Sequence, residues 1–242
     1  TFGLGLIDAI SKATILSNAD PTDADLDEIS GRAHVLGDGR VGRLGWKAQV
    51  PSVAEFVGDA MAAEIGLTLP AAAGVSFAIT SDNDGTPDPE LSMQQTTDII
   101  FFLSMLAGPP RQPIPPADAA VVAQGDALFT TLGCDKCHIR SLPAAIDGFF
   151  AFPVPLFSDL LLHEILPAGT AGIEDGAASQ LEFRTTPLWG LSETAPYWHD
   201  GSEDGIDGAI RRHDGEALTI RQAYEALSLP EREAVTKFLG TL

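Results

Sequence analysis

The five residues Cys134-Asp135-Lys136-Cys137-His138 constrain this chain more than any other stretch of it. Two thiols three positions apart can each bond a haem vinyl group, and the histidine that follows is then held beneath the iron as its proximal ligand. These are the only 2 cysteines in 242 residues, so no disulfide framework competes for them. A zinc site would need a second knuckle, and no further cysteine exists to supply it. The motif predicts one covalently bound haem c, attached at Cys134 and Cys137, with His138 on the iron.

Composition bounds what surrounds that group. With 45% hydrophobic residues the chain can bury one large core or two modest ones. Residues 108–117 hold five prolines, the best domain boundary in the sequence. Two domains are therefore expected, 1–115 and 116–242. A formal charge of -20 excludes nucleic acid and anionic membrane as partners, because phosphate binding needs clustered Lys and Arg. The same field would steer in a basic redox partner protein, or simply keep an extracytoplasmic protein dispersed. No segment reaches the roughly 18 apolar residues of a membrane span. The densest run, Ile99 to Ala107, reads as a buried helix. Thr1-Phe2-Gly3-Leu4-Gly5 lacks the basic leader of a signal peptide and reads as the start of a mature or shortened chain.

Residues 1–19 are expected to form a short packed helix, and Asp20 to Glu28 a solvated helix start or loop opened by Asp20-Pro21. The Gly-Arg-rich stretch Gly39 to Ala48 is too irregular for a regular element. Val53, Phe56, Val57, Ala60 and Met61 then recur at helical spacing, with Ser52 and Glu55 offset as a capping box. In the turn-rich Ser81 to Glu90, the carboxylates of Asp82, Asp84 and Asp88 around Gly85 could wrap a calcium ion; a plain acidic turn is the other reading. A helix through 90–107 follows. Beyond the prolines, Val121, Gly125, Leu128, Phe129 and Leu132 share one helix face leading to the cysteines. Val235, Phe238, Leu239 and Leu242 form a terminal stripe, with Pro230 in its first turn. Two terminal helices crossing over Gly125, with Phe129 meeting Phe238, resemble the c-type cytochrome fold. The fold class expected is mainly α: a c-type cytochrome domain preceded by an irregular, partly helical remnant of a first cytochrome-like domain.

The iron's sixth ligand decides between closed and open chemistry. All three methionines, Met61, Met93 and Met105, precede the haem motif; the downstream histidines are His163, His199 and His213. Any one of them taken alone reads first as an ordinary core or surface residue. The segments Glu182 to Leu191 and Ala195-Pro196-Tyr197-Trp198-His199-Asp200-Gly201 resemble the second haem domain of bacterial di-haem cytochrome c peroxidases. A closer resemblance is to the di-haem c-type oxidoreductases of the peroxidase and thiol oxidoreductase type. It runs over Gly3 to Ile7, Gly42 to Ala48, Pro89-Glu90, Ser158 to His163, Arg184 to Leu191 and His199 through His213 to Ala217.

That resemblance places His213 where the distal ligand stands, which implies a bis-histidine iron held by His138 and His213. It makes His199 a turn residue and Arg184 a partner for a haem propionate. It also makes Trp46 an electron relay, with buried packing as the alternative. Members of that family carry two CxxCH motifs, whereas this chain holds one, and their Asp-Met-Gly strings read Glu64-Ile65-Gly66 and Glu164-Ile165-Leu166 here. Residues 1–115 thus resemble the rear of a first haem domain whose haem lies on another chain, on a removed piece, or is lost. The implied setting is the periplasm or cell exterior. The implied role is electron transfer through a six-coordinate haem, in a di-haem peroxidase-like system with a redox partner. The alternative is a peroxide-reducing enzyme with an open haem site.

Overall fold

The computed structural model describes residues 2–146 and 150–242, Phe150 by its backbone alone. About 37% of the chain is helical and 11% strand, so it is mainly α, with irregular loops outweighing either. The helices are α1 (Leu4–Asp8), α2 (Lys12–Ser17), α3 (Val53–Ala60), α4 (Met93–Met105), α5 (Ala119–Leu132), α6 (Ile206–Arg211), α7 (Leu218–Glu225) and α8 (Leu229–Leu239). Two small antiparallel ladders join them. β1 (Leu142–Ile146) pairs with β2 (Phe150–Val154), and β3 (Leu162–Glu164) with β4 (Glu182–Arg184), His163 lying opposite Phe183.

The crossing of α5 and α8 organises the second half. A methyl group on Gly125 would run into the Ala234 carbonyl and Phe238, so only glycine lets the helices approach this closely. Phe129 meets Phe238 edge to face at 5.5 Å, as the terminal stripes predict. Val235, Leu239 and Leu242 are buried around them, and Pro230 sits in the first turn of α8. The partner stripe keeps Gly125, Leu128, Phe129 and Leu132 as read, and differs at one position: Val122 is buried and Val121 exposed. A second apolar core combines Leu4, Ile7, Val41, Leu44, Val53 and Val57 with Leu142, Ala144, Val154 and Leu156, so it draws on both sides of the proline-rich segment.

Three local expectations are corrected. Residues 1–19 form two short helices, the second capped by Ser11, whose side chain accepts from the Thr14 amide. Ser52 caps α3, but Glu55 does not reciprocate: its fully buried carboxylate takes the amides of Ser76 and Phe77 and the guanidinium of Arg40. The third correction concerns α4, which is not buried. Phe101, Phe102 and Met105 are 65%, 61% and 67% exposed, while Ile99, Ile100 and Leu103 turn to the core. Apolar density gave no periodicity there, and a helix puts only one face of such a run inside. Among the described residues, no helix is long and apolar enough to cross a membrane.

Candidate haem site

Helix α5 stops at Gly133, whose φ of +90° needs glycine, and its amide closes onto Phe129 and Thr130. The chain then tightens into a 3-10 turn over Cys134–Lys136, and the His138 amide returns to the Cys134 carbonyl at 3.0 Å. One turn therefore presents both thiols and the imidazole. Burial pushes the Cys134 thiol up to about 12 and raises Cys137 as well, so both are thiols at neutral pH and weak nucleophiles without an acceptor brought against them.

The His138 ring is held by a 2.9 Å hydrogen bond between Nδ1 and the Phe157 carbonyl. A carbonyl only accepts, so Nδ1 carries the proton. Burial, with a smaller push from the nearby His213, lowers the pKa of this histidine to about 4. The neutral ring thus keeps its lone pair on Nε2, the atom an iron would take. Phe157 itself lies in the left-handed region, φ +54°, and its ring packs edge-on against Phe129 at 6.0 Å and Phe238 at 6.3 Å. The aromatic core fixes the carbonyl that fixes the imidazole.

His213 repeats the arrangement nearby. It lies two residues beyond α6, its Nδ1 2.9 Å from the Ala209 carbonyl, and burial lowers its pKa too. Among the described residues, neither histidine has a hydrogen-bond partner on Nε2. Both sit deep among protein atoms yet keep some solvent-reachable surface, as do residues on the wall of a cleft.

Arg184 on β4 shares that setting. Its Nε donates to the Gly45 carbonyl at 2.9 Å and Nη1 to its neighbour Thr185 at 3.3 Å, and no carboxylate lies within ion-pair distance among the described residues. Burial pulls its pKa down to about 10. A desolvated guanidinium without an anion is costly, and a propionate would repair the deficit. Two thiols, two neutral imidazoles with free Nε2 atoms and an unpaired cation are a donor set that fits haem c.

His163 is turned elsewhere. Its Nε2 lies 2.8 Å from Asp159, and its Nδ1 lies 3.1 Å from Glu216 and 3.7 Å from the Cys137 sulfur. Burial alone would lower its pKa, but these acidic partners raise it well above the usual histidine range, making it a buried imidazolium. His199 is exposed and stacks on Phe183 at 4.3 Å, with Trp46 edge-on at 6.4 Å. Trp46 is 47% exposed, so it is not a buried packing residue. Of the acidic loop, Asp82 and Asp84 group with Glu90 rather than with Asp88, whose carboxylate accepts from the Asp82 amide. Asp82 and Asp84 each accept a backbone amide two residues on, the bonding of an Asx turn.

Sequence reasoning missed the groups that orient the imidazoles. Phe157 and Ala209 act through their carbonyls, which have no residue signature. Asp159 and Glu216 lay inside strings already singled out, at four residues before His163 and three after His213.

The family described as di-haem oxidoreductase, putative peroxidase, matches residues 1–242, and the chain belongs to it. No curated protein matches the chain. Among solved structures, a MauG-like protein associated with microbial copper homeostasis is similar with a TM-score of 0.50 and 14% identity, covering 97% of this chain and 89% of that one. Hydrazine synthase from Kuenenia stuttgartiensis is 20% identical with a TM-score of 0.45, covering 64% of this chain and 57% of that one. The chain therefore spans little more than half of that synthase chain.

Proposed function

We propose that this protein transfers single electrons through one covalently bound haem c, closed on both faces by His138 and His213, as part of a di-haem peroxidase-like system outside the cytoplasm. When bound, the haem supplies the redox couple; the residues decide how it is held. Cys134 and Cys137 would attach it, the two Nε2 atoms would grip its iron, and Arg184 would neutralise a propionate. Trp46, half-exposed beside His199, would pass electrons toward a partner, in this reading the bearer of the first haem. The observation that carries the proposal is the matched pair of Nδ1-to-carbonyl bonds. Each fixes the tautomer a ligand needs, and they do so on two segments that meet.

An absorption spectrum tests it. The loaded protein should show a low-spin ferric haem, a sharp reduced α band, and no change on adding cyanide, carbon monoxide or peroxide. His213→Ala should convert this to a high-spin iron that binds all three. A variant that stays six-coordinate and low-spin removes His213 from the iron. A wild-type protein that already binds peroxide replaces electron transfer with the peroxide-reducing reading.

A further inference from the structure

We infer that Trp198 is the positioning residue that keeps His213 turned toward the iron; this rests on the reading of His213 as a ligand. A helix end leaves its last carbonyls without amide partners. At the end of α6 the His213 amide bonds the Ile210 carbonyl at 3.1 Å. The Ala209 carbonyl, four residues before His213, is thereby left for side chains. It accepts two, one on each lone pair: the imidazole Nδ1 of His213 at 2.9 Å and the indole Nε1 of Trp198 at 3.1 Å.

The indole therefore pins the atom that pins the ligand. It also blocks the ring directly, edge-on to the imidazole with centroids 5.3 Å apart. Trp198 is in turn held from outside. The Arg212 guanidinium lies 5.0 Å over the indole, and its own charge is anchored to Asp200 at 3.5 Å and Glu203 at 3.8 Å. The Trp198 backbone has φ +69°, a region a bulky aromatic keeps only where its surroundings require it.

The brace matters because α6 is short and only half-buried, packed on the aromatic core through Ile206 and Ile210. No residue of that helix is fully buried, and its Gly205 cap lends no side-chain bond. Without the indole, the imidazole is free to swing away, and a small external ligand can take its place. Trp198 so governs how closed the distal face is, and with it whether the site is confined to electron transfer.

Stopped-flow cyanide binding to the ferric holoprotein, with the unfolding midpoint and the low-spin EPR signal measured alongside, separates this role from a merely structural one. Trp198→Phe keeps the ring and removes the N–H. It should raise the cyanide association rate about tenfold, the loss of one hydrogen bond, with the midpoint close to wild type. Trp198→Ala should go further, toward the rate of His213→Ala, and Arg212→Gln should give a smaller rise of about threefold from the lost cation–π contact. Unchanged rates in Trp198→Phe and Arg212→Gln, with the low-spin signal intact, overturn the inference and leave the ligand assignment standing. Wild-type protein that binds cyanide as fast as His213→Ala overturns both, and is told apart by the absence of a low-spin signal before any substitution is made.

Discussion

His138 and His213 carry the same hydrogen bond in the same tautomer, yet they stand on different ground. His138 follows the crossing of α5 with α8, and its carbonyl partner belongs to an aromatic residue locked among Phe129 and Phe238. His213 trails a six-residue helix with no fully buried side chain, and the carbonyl that holds its ring is shared with the Trp198 indole. Orientation and anchoring are thus separate properties of a buried imidazole. A rigid core can fix one imidazole permanently while the opposite one remains conditional.

The largest effect should come from the rigid side. Phe238→Ala removes a ring from a core where it touches both Phe129 and Phe157, and is expected to cost about 4 kcal/mol. Ile206→Ala, on half-buried α6, should cost about 1 kcal/mol. Urea denaturation compares them directly, and equal losses would erase the distinction between the two sides.

The two sides are tied together through His163. Glu216, three residues after His213, accepts from this imidazolium and from the amides of Ser30 and Glu164, while Asp159 holds the opposite nitrogen. His163→Gln leaves two acids facing a neutral amide and should cost about 3 kcal/mol. The pH dependence has a definite sign. Because the His163 pKa is raised in the folded state, its stabilisation is complete below about pH 6.5, the unfolded value, and is lost as pH rises through the folded one. Glu216 behaves oppositely. Burial would raise its pKa, but His163 and the backbone amides lower it, so its contribution is present above about pH 4.3 and lost on acidification. The thermal midpoint of the wild type should decline on the alkaline side, and His163→Gln should flatten that decline. An unchanged alkaline slope would mean that the tie bears no charge.

How much of this the sequence foretold depends on where the chemistry resides. Cys134, Cys137 and His138 stand out in the sequence because side-chain type and spacing together make the motif on which the proposed attachment rests. Gly125, Phe129 and Phe238 were legible because a close crossing needs a glycine and a large partner. The proposal of His213 as distal ligand comes only from resemblance, since one imidazole among three has no distinguishing local pattern. Phe157 and Ala209 were not legible: any residue offers a carbonyl, and only the fold aims it. The exposure of Phe101 and Phe102 was hidden for a related reason. Their neighbours Ile100 and Leu103 are as apolar as they are, so hydropathy alone could not orient the helix.

The same ambiguity, at its smallest, sets Val121 against Val122 on α5. Both are β-branched, adjacent and equally apolar, so neither composition nor propensity separates them. Only the angular position of Gly125 and Phe129, which must face α8, selects Val122. It is 5% exposed in the aromatic core, against 37% for Val121. Val122→Ser should therefore cost about 2 kcal/mol, since it buries a hydroxyl where a methyl packed. Val121→Ser should stay within about 0.5 kcal/mol of wild type by urea midpoint. Equal costs would mean that α5 is turned about its axis so that both valines meet α8 alike. Phe129 would then turn from Phe157, and the carbonyl holding His138 would lose the packing that makes this side the rigid one.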